Sequence, residues 1–192
     1  MNKTRLEAFS DGVIAIIITI MVLELKLPAG DTFEVLREVF PQFMSYLLSF
    51  IFIGIYWGNH HHLLHTVQRV SSGIIWANLN LLFWLSLVPI ATGWMGANHF
   101  APNAVAIYAA LLAACGFAYF ILQRLIVKCH DFNPAMLKAM GKQSLKGIVS
   151  QVSYLSAIPL AYLNPFISVA LFVFVAALWI VPDRNIERAS SN

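Results

Sequence analysis

Long apolar stretches of this chain are not interrupted by charged residues. Residues 39–68, 70–123 and 147–182 contain no Asp, Glu, Lys or Arg. Because a helix needs about 20 apolar residues to cross a bilayer core of about 30 Å, these runs predict membrane-spanning helices and exclude surface helices of a soluble protein. Turn signals divide the chain into six predicted spans, at residues 4–27, 42–64, 74–94, 104–126, 147–163 and 166–181.

The segments between the predicted spans also carry structural signals. The first span is predicted to stop at residues 28–30, Pro-Ala-Gly, and the third at residues 93–96, Gly-Trp-Met-Gly. The last two spans are predicted to form a tight helical hairpin around Asn164-Pro165, with a re-entrant hairpin as the alternative, because each arm is just long enough to cross the membrane. Residues 31–40 begin with a polar residue and have apolar residues at helical spacing, which predicts a short helix on the outer membrane surface.

Composition and charge agree with a polytopic, all-α membrane protein. The chain is 59% hydrophobic and 11% charged with a mean hydropathy of +0.74, whereas soluble domains carry about 25% charged residues. Ten of its 12 Lys and Arg residues fall at the termini and in the second and fourth connections; Lys26 and Arg37 are the other two. By the positive-inside rule both termini are cytoplasmic. The net charge of +3 therefore reflects topology and indicates no nucleic-acid partner.

The start of the first span contains an unusual carboxylate. The sequence Arg5-Leu6-Glu7-Ala8-Phe9-Ser10-Asp11-Gly12 leads directly into an apolar run. The segment Thr4–Glu7 has the form of a capping box, which would place Asp11 about 10 Å into the helix. That is too deep for the helix dipole alone to stabilise the charge. We therefore expect Asp11 to receive hydrogen bonds from other helices.

Polar residues at the same predicted membrane depth are the candidate partners. The end of the second span carries Asn59, His60, His61, His62 and His65, and the start of the third carries Trp76, Asn78 and Asn80. We expect a buried network that joins the first three helices; a role in gating or proton sensing is the alternative, because histidine titrates near neutral pH.

The same histidines do not form a convincing metal or catalytic site. The chain has six histidines in all and lacks neighbouring carboxylates, which argues against a metal centre. There is no recognisable pair of nucleophile and base. The sequence therefore predicts no enzyme, no metal and no cofactor.

The motif Arg5-x-x-x-Phe9-Ser10-Asp11-Gly12, together with residues 54–62 and 76–83, resembles the transmembrane protein 175 family over essentially the whole chain. The resemblance implies a potassium-permeable channel in the cell membrane of a prokaryote, surrounded by the lipid bilayer. Prokaryotic members are single six-helix units that form homotetramers, and the first helix of each subunit lines the pore. The family lacks the Thr-Val-Gly-Tyr-Gly filter of other potassium channels, as does this sequence.

Carried over by position, the family's hydrophobic constriction falls on Ile16, with further apolar layers at Ile20 and Leu23. At 100° per residue these positions lie within about 60° of one another, with Thr19 about 60° to one side of Ile16 and Asp11 about 140° away. An isoleucine ring can block ions by dewetting, so potassium selectivity should be modest and set by pore width and the threonine hydroxyl. Without the resemblance, this stripe could equally face lipid or be packed.

A secondary transporter of a small solute or ion is the main alternative. Transporters usually place ionisable residues, broken helices or repeated halves at the midplane. The predicted spans have no Asp, Glu, Lys or Arg in their middle positions, and no internal repeat is evident.

Overall fold

The computed structural model describes residues 2–25, 30–130 and 132–180, except for the side chain of residue 135. The described residues contain helices and no strands, so the predicted all-α class is confirmed. The ends of the first and last predicted spans, the turn at residues 28–29, and Lys26, Arg184 and Arg188 from the charge count lie outside the described residues. The helices are α1 Lys3–Leu23, α2 Phe33–His65, α3 Ser72–Ser86, α4 Val88–Ala97, α5 Pro102–Cys129, α6 Pro134–Leu163 and α7 Pro165–Ile180.

Several of these helices have the length and composition of membrane spans. Within the described residues, four helical stretches qualify: Lys3–Leu23, Phe33–His65, Ser72–Ala97 and Pro102–Cys129. The third stretch combines α3 and α4, which follow one another almost without interruption. Helix α7 is apolar but shorter, and α6 has lysines in its first half. With α3 and α4 counted as one, the described helices form six helical stretches.

Helix α1 begins earlier than the capping box predicts. Its N-cap is Asn2, whose side-chain oxygen accepts a hydrogen bond from the backbone N–H of Arg5 at 3.0 Å. The prediction that Thr4 caps the helix is wrong, because Asn2 already fills that role and Thr4 lies in the first turn. Asp11 is consequently about 13 Å beyond the cap at a rise of 1.5 Å per residue.

The predicted surface helix and the second span are one continuous helix. Helix α2 runs from Phe33 to His65 with Pro41 inside it. The predicted separate surface helix is therefore the first part of α2, and where α2 enters the membrane stays a prediction. A proline removes one backbone hydrogen bond, and here the helical turns on both sides of it continue.

The interruption of the third span lies earlier than predicted. Helix α3 ends at Ser86 and α4 begins at Val88. Pro89 has no N–H to bond the carbonyl of residue 85, which explains a break at this point. The predicted break at residues 93–96 is helical instead. A Cβ on Gly96 would lie only 2.7 Å from the Cα of Gln42, so this glycine permits close packing of α4 on α2.

Helix α6 starts about 13 residues before the predicted span at residue 147. Asn133 caps it, since its side-chain oxygen accepts from the backbone N–H of Met136 at 2.8 Å. At its other end, the side chain of Asn164 accepts from the backbone N–H of Phe166 at 2.9 Å, which forms the hairpin between α6 and α7.

Three chain segments meet at one end of the bundle. The ammonium of Lys3 donates to the carbonyl of His65 at 2.6 Å, which joins the start of α1 to the end of α2. The ring Nε2 of His130 accepts from the backbone N–H groups of Gln68 and Arg69 at 3.0 and 3.1 Å. The amino terminus and the second and fourth predicted connections therefore share one end, as the charge pattern predicts. That this end is cytoplasmic stays a prediction.

Candidate functional site on the first helix

Helix α1 has one packed face and one open face. Its buried residues recur every three or four positions and form one stripe against α2, α3 and α4: Leu6, Ser10, Ile14, Ile17 and Met21. On the other side, Ile16 is 57% exposed, Ile20 42% and Leu23 79%. Arg5, Phe9, Gly12 and Thr19 are also exposed on the single chain.

A short chain of hydrogen bonds fixes the packed face. The amide nitrogen of Asn78 on α3 donates to the Ser10 hydroxyl at 2.9 Å, and the Asn78 oxygen lies 2.6 Å from Nε2 of His60 on α2. All three side chains are buried. The NH2 group of the Asn78 side chain is directed at Ser10, so the Asn78 side-chain oxygen is directed at His60. An amide oxygen can only accept, and His60 Nε2 therefore carries the proton. The expected network joining the first three helices is present through these residues.

Asp11 lies beside this network and not in it. Its carboxylate accepts a hydrogen bond from the indole N–H of Trp57 at 3.0 Å, and it is half-buried. Asp11 receives the expected donor from another helix, but the donor is a tryptophan. Ser10 takes the expected place of Asp11 against Asn78, because one residue turns the side chain by about 100°.

His61 and Asn80 are two of the predicted members that lie outside the network. His61 is exposed, and its ring lies against Trp57 and His65 with centroid separations of 6.1 and 6.4 Å. Asn80 is half-buried and makes no side-chain hydrogen bond with the part of the chain that the structure describes. The network is therefore smaller than the sequence predicts.

The open face carries few polar groups. The Thr19 hydroxyl donates to the carbonyl of Ile16 at 2.9 Å, which leaves its oxygen able to accept a hydrogen bond from the exposed side. Near the start of the helix, Lys3 and Glu7 pair at 3.8 Å. Arg5 is exposed and forms no ion pair with a described residue.

Comparisons with known proteins agree with this arrangement. The family model described as the endosomal/lysosomal potassium channel TMEM175 matches residues 5–89. A protein named as a potassium channel from Chryseobacterium sp. (strain P1-3) is 48% identical over 189 residues, which cover 98% of each chain. This chain belongs to the TMEM175 family.

Other TMEM175 relatives extend the likeness. A protein named as a potassium channel from Streptomyces collinus (strain DSM 40733 / Tue 365) is 34% identical over 70% of each chain. The crystal structure of a lysosomal potassium-selective channel TMEM175 homolog from Chamaesiphon minutus matches with a TM-score of 0.81 at 27% identity. The match covers 94% of this chain and 97% of that one. The fold is thus that of TMEM175 channels, and the chain is a membrane protein.

A second polar cluster was not predicted from the sequence. It lies mostly outside residues 5–89, which the TMEM175 family model matches. Gln143 on α6 donates to the side-chain oxygen of Asn59 at 2.9 Å and to the Tyr119 hydroxyl at 3.3 Å, while Gln123 donates to Gln143 at 3.3 Å. A signal was available, because amides in membrane helices are costly unless they meet partners on neighbouring helices. Asn59 belongs to this cluster and not to the network on α1.

Proposed function

We propose that this chain is the subunit of a potassium-permeable cation channel, a homotetramer whose pore is lined by α1 of each subunit. The observation that carries the proposal is the open face of α1. That face presents Ile16, Ile20 and Leu23, while hydrogen bonds through Ser10 and Asp11 hold the opposite face against the subunit. A helix fixed in this way can present the same stripe to an axis shared by several copies.

Ile16 is the proposed constriction. A ring of isoleucine side chains has no group that replaces an ion's hydration shell, so a narrow ring excludes water and ions together. Conduction then requires the ring to widen or to hydrate. Replacing Ile16 with a polar residue should therefore raise ion flux.

Thr19 is the proposed selectivity element. Its hydroxyl oxygen remains available as an acceptor beside the constriction, because its proton is used by the carbonyl of Ile16. One hydroxyl per subunit is a weak substitute for a cage of carbonyl oxygens. We therefore expect a modest preference for potassium over sodium, reduced in Thr19→Ala.

The remaining parts of the proposal concern assembly and orientation. We place the protein in the cell membrane of a prokaryote with both termini cytoplasmic, because the Lys and Arg residues are concentrated at that end. Native mass spectrometry in mild detergent tests the homotetramer. Accessibility of a cysteine introduced at Arg69 in intact cells tests the orientation.

The decisive test is ion flux into liposomes that contain the purified protein. Wild type, Ile16→Asn and Thr19→Ala are compared with Ile107→Asn as a matched control, because Ile107 on α5 is 53% exposed, similar to Ile16. We expect potassium flux in wild type and no increase in Ile107→Asn. In Ile16→Asn we expect roughly ten-fold more flux, which corresponds to a barrier lower by about 1.4 kcal/mol.

The opposite results would remove the proposal. If neither wild type nor any of the variants conducts cations, the proposal that the protein is a channel is wrong. Saturable uptake coupled to a counter-ion and unchanged in Ile16→Asn would favour a secondary transporter. An equal increase in the Ile16 and Ile107 variants would mean that the effect comes from perturbing the membrane and not from a pore.

A further inference from the structure

A second candidate site lies within the subunit, away from the open face of α1. It is a cavity of about 220 Å³ between α2, α5, α6 and α7. Phe117 on α5 and Ile148 on α6 are its most exposed lining side chains, at 58% and 55%. Both are apolar side chains exposed on the single subunit, so the cavity opens on an apolar part of the subunit's outer surface. We take this surface to face the bilayer.

The walls of the cavity define the chemistry of what fits. Seven of the lining side chains are aromatic, and none of the described lining residues is charged or a histidine. A charged ligand would lose its hydration in the cavity and would find no charged lining residue to offset that cost. The walls therefore favour a neutral, apolar molecule with a ring that can pack against other rings.

The wall carries two polar atoms, the Tyr56 hydroxyl and the Gln151 side-chain oxygen, that form no hydrogen bond with a described residue. The hydroxyl of Tyr56 receives and donates no hydrogen bond among the described residues. The Gln151 side chain donates through its nitrogen to the carbonyl of Ala113 at 3.0 Å, which leaves its oxygen as an acceptor. That oxygen lies 2.7 Å, and the Tyr56 hydroxyl 3.8 Å, from the position that a Cβ on Gly116 would take.

We propose that this cavity binds a small, neutral, single-ring aromatic molecule with one hydroxyl group, entering from the bilayer. A hydroxyl can donate to Gln151 and accept from Tyr56 at the same time, which a carbonyl or an ether cannot do. The size agrees, since a dry apolar cavity of roughly 150 Å³ takes one benzene molecule, and this one has room for short alkyl substituents.

The site is placed to act on α1. Tyr56 in the cavity wall directly precedes Trp57, whose indole binds Asp11 of α1. Asn59, another lining residue, directly precedes His60 of the buried network. A ligand that shifts this part of α2 would shift the anchors of α1, so occupancy should change ion flux; this part rests on the proposed channel function.

Binding is tested on the full chain in phosphatidylcholine vesicles with an alkylphenol that carries a photoreactive diazirine, with 2,6-diisopropylphenol as competitor. We expect saturable labelling of peptides from α2, α5 and α6. Gly147→Leu should abolish it, because Gly147 lines the cavity and has no atom within 4 Å of an added Cβ. Gly141→Leu is the matched control: Gly141 lies on the same helix with equally open space, but outside the cavity.

The hydroxyl has its own control. Tyr56→Phe keeps the ring and removes a hydroxyl that bonds none of the described residues, so the variant should fold normally. It should weaken competition by roughly five-fold, the worth of one hydrogen bond. Equal competition by 1,3-diisopropylbenzene would overturn the role of the hydroxyl. If dodecane displaces the photoreactive alkylphenol equally well, the cavity binds lipid acyl chains. If no saturable labelling is seen, the cavity holds water. Either result overturns the proposal.

The effect on α1 is measured separately as potassium flux. Saturating 2,6-diisopropylphenol should change the flux of wild type and Gly141→Leu by about five-fold, a usual size for coupling between sites, and leave Gly147→Leu unchanged. Saturable labelling with unchanged flux in a conducting wild type would overturn the coupling. If wild type conducts nothing, the channel proposal and the coupling fail together, while the photolabelling result still decides the binding site.

Discussion

Replacing Asn78 with alanine is the most direct test of how α1 is held. Asn78 is completely buried and bridges Ser10 on α1 to His60 on α2. The substitution removes two hydrogen bonds between helices, worth on average about 0.6 kcal/mol each in a membrane protein. It also leaves the Nε2–H of His60 buried without an acceptor, at a cost of about 1–3 kcal/mol.

The expected loss is therefore about 3 kcal/mol in the free energy of unfolding. Ser10→Ala should cost about 1 kcal/mol, because it removes one acceptor and leaves the bond between Asn78 and His60 in place. In the Asn78→Ala background, Ser10→Ala should cost almost nothing more, because the remaining bond of Ser10 is to Leu6 within its own helix. The two changes are thus strongly non-additive.

The assay is SDS titration of the purified protein in mixed micelles, followed by circular dichroism and tryptophan fluorescence. Asn98→Ala is the matched control, since Asn98 is exposed and its side chain bonds, among the described residues, only the carbonyl of Trp94 in the last turn of its own helix. Its effect should stay within about 0.5 kcal/mol. If Asn78→Ala costs no more than this control, or if the Ser10 and Asn78 changes add, the network does not anchor α1 and our reasoning is refuted.

Two other substitutions probe the same packing, with the free energy of unfolding as the readout. Trp57→Phe removes the hydrogen bond to Asp11 and should cost about 1 kcal/mol, less than a buried bond to a charge because Trp57 is 48% exposed; an unchanged value would mean that the bond is not formed in solution. Gly96→Ala forces a Cβ against Gln42 and should cost about 1–3 kcal/mol, whereas Gly54→Ala, with no atom within 4 Å, should be neutral; equal effects would contradict the close packing.

The class of fold follows from the sequence for two reasons. The thickness of the bilayer sets the length of a spanning helix, and backbone N–H and C=O groups in lipid must form hydrogen bonds with one another. The ends of individual helices depend on weaker effects. Near Pro89 the helix is interrupted at Leu87, between α3 and α4, whereas Pro41 lies inside the unbroken helix α2. The same residue type has both outcomes because packing of the neighbouring turns decides whether one lost hydrogen bond ends the helix. Hydropathy does not contain that information.

The candidate site was predicted at the level of helices, but not of individual contacts. Sequence reasoning selected Asp11 because a charge in a membrane helix is the most costly group. The buried partner of Asn78 is nevertheless Ser10, and Asp11 meets Trp57. Adjacent residues on a helix point about 100° apart, so an error of one position exchanges one interface for another. Only the packing of three helices decides which residue faces inward.

The angle of about 100° between adjacent helix positions also separates Asn59 from His60 on α2. The bonds made by such residues limit how α1 can move. Asn59 bonds Gln143 on α6, while His60 serves the network on α1. If α1 rotated by 60° to turn Ile16 aside, the Cα of Ser10 would move about 2.3 Å, the radius of the helix. The bond of 2.9 Å to Asn78 would break. Widening of the proposed constriction should therefore occur by movement of α1 together with the helices that anchor it, or by hydration of the isoleucine ring, both of which leave these bonds intact.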